Sequence, residues 1–231
     1  RRHVVLCGFP RGGTTLLQLI VQQCIPDVQG FPTETRALHM ARFATKRARY
    51  LFTKCPGDIF RINEIVAYYE SRTTQPRFLL MMRDPRAVLT SFHSGRPGEY
   101  ACCTRRWRAT WDFWAWATQF PQATVVRYEE LIRDPARVEV ELARHVGWSI
   151  ARPFQRFHEE VDAGFSTSAL NGVRALDPST IDRWRDDRHA DRLREIVREL
   201  PDLPQILCEL GYESDDAWIA QSRRMSGRNA A

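Results

Sequence analysis

No stretch constrains this chain more than its beginning, where Val4-Val5-Leu6-Cys7 runs into Gly8 to Gly13 and then into Thr14 to Cys24. A short β-branched apolar run reads as a buried strand, the Gly/Pro segment as a loop, and Leu16, Leu17, Leu19 and Ile20 recur at helical spacing. The same alternation returns downstream. A turn over Gly30 to Thr35 leads to a helix running to about Lys46, then come a strand over Tyr50 to Thr53 and a helix over Ile59 to Ser71. A strand over Phe78 to Met82 and a helix from Pro85 follow. Apolar runs alternating with helices predict an α/β fold, a central parallel sheet with helices on both faces. An aromatic helix over Arg105 to Gln119, a strand at Ala123 to Val126, and helices over Pro135 to Val146 and Phe154 to Val161 continue the series. Residues 163 to 185 read as a long irregular loop.

At 231 residues, 43% hydrophobic and 11% aromatic, the chain has enough apolar surface for one sizeable core. We expect a single domain over residues 1–231, with a flexible tail from about residue 217. The net charge of +6 suits an anionic ligand. A nucleic-acid module is not expected, because the arginines are spread and interleaved with acids rather than gathered on one face. Of the 34 basic residues all but Lys46 and Lys54 are arginine, which draws attention to a lysine in a functional position. The six cysteines form no CxxC pair and no zinc spacing with histidine, so no metal is expected. Cysteines inside apolar runs read as small buried hydrophobes in a reducing compartment, which makes a cytoplasmic protein the expectation. No run reaches 18 apolar residues and no signal-like apolar segment precedes the first strand, so no membrane span is expected.

The loop Gly8-Phe9-Pro10-Arg11-Gly12-Gly13-Thr14-Thr15 stands between a strand and a helix, where backbone N–H groups can wrap a phosphate at the positive end of the helix dipole. Against the pattern G-x-x-x-x-G-K-[ST], Gly8, Gly13 and Thr15 match, but Thr14 occupies the lysine position. Such a P-loop-type turn suits a nucleotide with a single 5′-phosphate. A second cluster, Arg83-Asp84-Pro85-Arg86, ends the buried strand and opens a helix. Ser91 lies eight residues past Arg83, close to two helical turns, so it is expected on the same side. Arginine with a serine hydroxyl is good chemistry for a phosphate.

Pro10 to Thr15 resembles the 5′-phosphosulfate loop of sulfotransferases that use 3′-phosphoadenosine 5′-phosphosulfate (PAPS), commonly Pro-Lys/Arg-Ser-Gly-Thr-Thr. Gly12 replaces the usual Ser, and Leu16 stands where cytosolic members carry an adenine-packing Trp. Arg83 to Arg86 with Ser91 is similar to the 3′-phosphate signature of the same family. Tyr128-Glu129-Glu130-Leu131 resembles the Tyr-Glu-Asp-Leu strand end, and Asp182-Arg183-Trp184-Arg185 a Gly-Arg-Trp-Arg segment of bacterial and Golgi members. The matches keep family order over nearly the whole chain. The resemblance implies a sulfotransferase domain of the bacterial or Golgi-type branch, with PAPS as donor and PAP as product. It implies donor-binding roles for Arg11, Gly12, Gly13, Thr14, Thr15, Arg83, Ser91, Tyr128 and Arg183.

Sulfuryl transfer needs a base for the acceptor proton and cations for the leaving phosphate oxygen. Cytosolic members take the base from a His after the strand-end lysine, but here the stretch is Thr53-Lys54-Cys55-Pro56. Other members use a Glu in the turn after the first helix, which places Glu34 as the expected base and His39 and His93 as lesser candidates. Lys54 and Arg11 are the expected cations, with Lys54 the one able to give a proton. The aromatic helix is expected to be mostly core, with one or two rings free for an acceptor site. A kinase-like phosphotransferase, whose magnesium would fall to Asp84, and an inactive nucleotide-binding protein are the alternatives. The acceptor and the oligomeric state stay open.

Overall fold

In the computed structural model, which describes residues 2–43, 48–72, 75–161, 165, 170 and 172–219, β1 (Arg2–Gly8) is the middle strand of a parallel sheet. Its residues Val4 to Cys7 are fully buried, as are Phe78 to Met82 of β4 (Pro76–Met82). Such continuous apolar strands need cover on both faces, which parallel crossovers supply. After α1 (Thr14–Cys24) come the short β2 (Val28–Gln29), α2 (Ala37–Ala41) and β3 (Tyr50–Lys54). A 3-10 turn (Pro56–Arg61) then leads into α3 (Ile62–Glu70) and β4. β1 pairs in parallel with β3 on one side and β4 on the other, and β2 extends the sheet beyond β3.

Beyond β4 come α4 (Pro85–Leu89), a hairpin of β5 (Phe92–His93) and β6 (Arg96–Tyr100), and α5 (Thr104–Ala117). β7 (Ala123–Arg127) closes the sheet against β4, giving the order β2-β3-β1-β4-β7, all parallel. α6 (Tyr128–Arg133), α7 (Pro135–Val146), α8 (Ala190–Glu199) and α9 (Leu203–Glu209) follow. The chain divides into two compact units, Arg1–Met82 with Ala109–Pro178, and Arg83–Arg108 with Ser179–Ala231. The first holds the five-stranded sheet and a core in which Leu17, Ile20 and Val21 of α1 meet Val4, Leu6, Phe52, Leu79, Val126, Leu142 and Val146. The second holds the hairpin, α4, α8 and α9, with Val88, Leu89, Trp107, Trp184, Leu193, Ile196, Leu203 and Leu207 buried.

Three segments differ from the sequence expectation. The helix expected over Phe154 to Val161 is a single 3-10 turn at Phe154–Arg156. The backbone bonds here span three residues, Arg156 N–H to Pro153 O at 2.9 Å, Phe157 N–H to Phe154 O at 3.3 Å and Glu159 N–H to Arg156 O at 3.2 Å, so the chain makes successive tight turns rather than an α-helix. α4 stops at Leu89, and Ser91 lies beyond it. The last i→i−4 bond is Thr90 N–H to Arg86 O at 3.0 Å; Ser91 N–H turns to Val88 O at 3.3 Å while its hydroxyl takes the Ala87 carbonyl at 2.6 Å. The helix expected to about Lys46 is described as far as Ala41, and residues 44–47 lie outside the described residues, as does 220–231 of the tail.

Candidate functional site

In a parallel sheet the loops at the carboxyl ends of the strands share one edge, where ligands bind. The ends of β1, β3 and β7 bring Gly8, Lys54 and Tyr128 to that edge of the first unit. The loop after β1 is shaped by backbone constraints. Gly8 has φ 126°, and a Cβ there would sit 2.5 Å from the Met81 carbonyl oxygen, so β4 itself excludes a side chain. Arg11 is left-handed with φ 61°, a conformation that costs a non-glycine residue energy and is found where structure demands it. Gly13, at φ 97°, is the N-cap of α1, and a Cβ on it would strike the Tyr128 ring at 2.5 Å.

α1 therefore starts with no side-chain cap and no acid in its first turn. The first N–H groups of a helix have no intrahelical acceptor and carry its positive end, so this terminus suits an anion. Thr14 is buried and Thr15 half-buried in that turn. Phe9 is buried behind the loop against Trp114 of α5, with ring centroids 6.3 Å apart, and Trp111 stacks on Trp114.

Lys54, the last residue of β3, is only 6% exposed. Its Nζ lies 3.5 Å from Thr15 Oγ1 and 3.6 Å from Glu34 Oε2, so one ammonium stands between the end of the phosphate-type loop and a carboxylate. Burial pulls the Lys54 pKa below its ordinary value, and Glu34 opposes that pull without cancelling it. Cys55 Sγ donates to Glu34 Oε1 at 3.3 Å. Burial first, then the charges of Asp58 and Glu34, push this thiol up to about 11.

The segment carrying Glu34 is irregular but tied on three sides. Gln18 and Gln22 of α1 both donate to the Phe31 carbonyl, at 2.7 and 2.9 Å. Thr35 N–H reaches the Lys54 carbonyl at 2.8 Å, and the buried Asp58 accepts from Ala37 N–H at 2.8 Å. Arg11, Gly12, Gly13, Thr14, Thr15, Glu34, Lys54 and Tyr128 thus all belong to the first unit, and contacts join Thr15 to Lys54, Lys54 to Glu34 and Gly13 to Tyr128. Tyr128 opens α6 rather than ending a strand.

Arg83, Ser91 and Arg183 belong to the second unit. Arg83 is half-buried and Arg183 exposed, and the Ser91 hydroxyl proton is engaged by Ala87 O, which leaves the oxygen as acceptor. The dominant charge here is Arg86, 1% exposed. Its Nε and Nη2 meet the two Asp84 oxygens at 3.0 and 2.8 Å, Nη1 pairs with Glu213, and the guanidinium lies 3.8 Å from the Trp184 ring centroid and 4.9 Å from that of Trp218. Burial alone lowers the Arg86 pKa, but the bonds and charges of Asp84 and Glu213 outweigh it and raise it. Asp84 also caps α4 through the Arg86 N–H at 2.8 Å. Both its oxygens are engaged by Arg86, which leaves it poorly placed to hold a magnesium ion.

Of the lesser base candidates, His39 is exposed with its ring beside Phe43, and His93 Nδ1 accepts from Gly95 N–H within the hairpin turn. Among the aromatics of α5, Trp107 and Trp114 are core, whereas Phe113 and Trp116 are exposed, Phe113 lying 5.0 Å from Phe60. Among the described residues no group of three or more His, Cys, Asp or Glu is arranged to hold a metal, and no helix is long and apolar enough to cross a membrane. Cys55, Asp58, Gln18 and Arg86 were not singled out from sequence as site residues. Cys55 and Arg86 stand inside the quoted motifs, and Asp58 and Gln18 lie a few residues from them.

The profile of the Sulfotransferase family matches residues 35–152, just over half of the chain. The match takes in Lys54, Arg83, Ser91 and Tyr128 and begins one residue after Glu34. A search of curated protein sequences gives no match. Among solved structures, the sulfotransferase domain of the Synechococcus PCC 7002 olefin synthase aligns with a TM-score of 0.56 at 18% identity, covering 80% of this chain and 88% of that one. The sulfotransferase domain from the curacin biosynthetic pathway aligns with a TM-score of 0.55 at 16% identity, covering 83% and 96%. A mouse sulfotransferase complexed with PAP aligns at 0.50 and 13% identity, covering 86% and 83%. At such identities the likeness is one of fold. The profile match, over a chain folded in this way, shows that the protein belongs to the sulfotransferase family.

Proposed function

We propose that the chain moves a sulfuryl group from PAPS to a hydroxyl or amine of an acceptor, with Glu34 as general base. The observation that carries this reading is the placement of the Lys54 ammonium between Thr15 and Glu34. PAPS supplies the sulfuryl group on a phosphate leaving oxygen and, unlike ATP, a 3′-phosphate. The uncapped start of α1 fits the 5′-phosphosulfate, because its first N–H groups lack an intrahelical acceptor and Gly13 brings no side chain to cap them. Arg83 and Ser91 are assigned to the 3′-phosphate, with Arg183 and Tyr128 as further donor contacts.

In this reading Glu34 removes the acceptor proton as the acceptor–sulfur bond forms and the bond from sulfur to the phosphate oxygen breaks. Lys54 and Arg11 stabilise the charge arriving on that oxygen. Lys54 also gives it a proton, which a lysine of lowered pKa does more readily and an arginine hardly at all. A kinase-like reading is weaker, since Thr14 replaces the phosphate-gripping lysine and Asp84 is engaged by Arg86. A reducing, cytoplasmic setting fits the four buried free thiols.

The test is Glu34→Gln, assayed as PAP formed from PAPS with water and with phenol, sugar and amine acceptors. PAP affinity should be unchanged and turnover should fall by about 10²–10⁴, the usual contribution of a positioned base. Undiminished turnover would remove Glu34 from the reaction.

A further inference from the structure

Two side chains hold the Glu34 carboxylate, one at each oxygen: Lys54 at Oε2 and Cys55 at Oε1. The proposed chemistry accounts for the first and leaves the second unexplained. The Glu34 side chain is 55% exposed, on a segment with no regular secondary structure. Its backbone is fixed by the Thr35 and Ala37 N–H bonds, but a half-exposed glutamate on a fixed backbone still has several rotamers to lose. Cys55 is the opposite case, 6% exposed, with its N–H bonded to the Leu6 carbonyl at 3.1 Å. A rigid donor therefore meets a mobile acceptor.

We propose that Cys55 is a positioning residue for sulfuryl transfer, its S–H holding Oε1 of Glu34 so that the carboxylate stays turned to one place for taking the acceptor proton. The proposal rests on the reading of Glu34 as base. The donor must be the thiol, since a thiolate would repel the carboxylate, and a thiol pushed up to about 11 keeps its proton at neutral pH.

The experiment is a double-mutant cycle on the full chain with wild type, Cys55→Ala, Glu34→Gln and the double variant, plus Cys55→Ser. The probes are PAPS and water, read as PAP released by slow hydrolysis, with PAP affinity and thermal melting measured alongside. Cys55→Ala should lower kcat by about 2–12-fold, the worth of one hydrogen bond, with KM for PAPS and PAP affinity unchanged. Cys55→Ser, which keeps a donor, should recover most of the loss. In the Glu34→Gln background Cys55→Ala should change nothing further. An equal loss in both backgrounds would overturn the positioning role while leaving Glu34 as base, whereas full turnover in Glu34→Gln would remove the base and the positioning role with it. A readout independent of turnover is the alkylation of Cys55 by iodoacetamide, resolved by peptide mass spectrometry. It should be several-fold faster in Glu34→Ala, which removes both the acceptor and the charge that help to hold the thiol pKa up, and an unchanged rate would contradict the contact.

Discussion

Among the described residues two side-chain cations, Arg86 and Lys54, are almost wholly buried, and their surroundings are opposite. Arg86 is enclosed by two carboxylates and two indole rings, with every pairing at hydrogen-bond or stacking distance. Lys54 has a single carboxylate at 3.6 Å, on a side chain half open to solvent, and a hydroxyl at 3.5 Å. Full pairing raises the pKa of the first, and incomplete pairing leaves the second lowered by burial. A closed network fixes structure, while an under-satisfied buried cation keeps capacity for an incoming anion.

The largest stability effect should come from opening the closed network. Arg86→Ala takes the buried guanidinium away from Asp84 and Glu213 and removes the α4 contact with Trp184, so denaturant unfolding should show a loss of about 3–5 kcal/mol. A loss below about 1 kcal/mol would mean that the network is not a structural centre. Arg83, three residues earlier, is expected to act on ligand instead. Arg83→Ala should weaken PAP by about 1.5–3 kcal/mol and leave adenosine 5′-phosphosulfate nearly unaffected, because only PAP carries the 3′-phosphate. Equal losses by calorimetry would refute that assignment.

The smallest effect at neutral pH concerns titration. With the folded pKa of Lys54 below its ordinary 10.5, the unfolded chain binds more protons between the two values. The lysine's contribution to stability therefore rises with pH across that window. Turnover should fall across the same window, about tenfold per pH unit beyond the limb, as the proton donor is lost. Lys54→Arg should abolish that limb and lower turnover at neutral pH. An unchanged limb would place the titrating acid elsewhere. The buried thiols act in the other direction on stability. Burial pushes Cys24 up to about 12 and Cys102 up to about 11, so their stabilisation is complete below pH 9 and is lost as pH rises through those values.

The sheet was readable from sequence because β1, β3, β4 and β7 are apolar runs bounded by turns, and α1 and α7 have clear helical spacing. The hairpin of β5 and β6 was not, since Arg96–Tyr100 is mostly exposed, carries Pro97 and Gly98, and shows no period-2 apolar face. A Ser94-Gly95 turn was the one signal present. Helical spacing puts Ser91 on the helix from Pro85, but α4 ends at Leu89 and nothing in the local sequence marks that end. Glu34 and Lys54 are legible only through the family resemblance, and nothing in the spacing around Cys55 marks it as a partner of Glu34. Arg86 stood in a quoted motif, but Trp184, Glu213 and Trp218 are too distant in sequence for spacing to reveal their convergence on it.

The central claim, a PAPS donor rather than a nucleoside triphosphate, is tested most directly by titrating the protein with PAP and with ATP by calorimetry. The account predicts clearly tighter binding of PAP, with the difference reduced in Arg83→Ala. Equal affinity, or a preference for ATP, would contradict it.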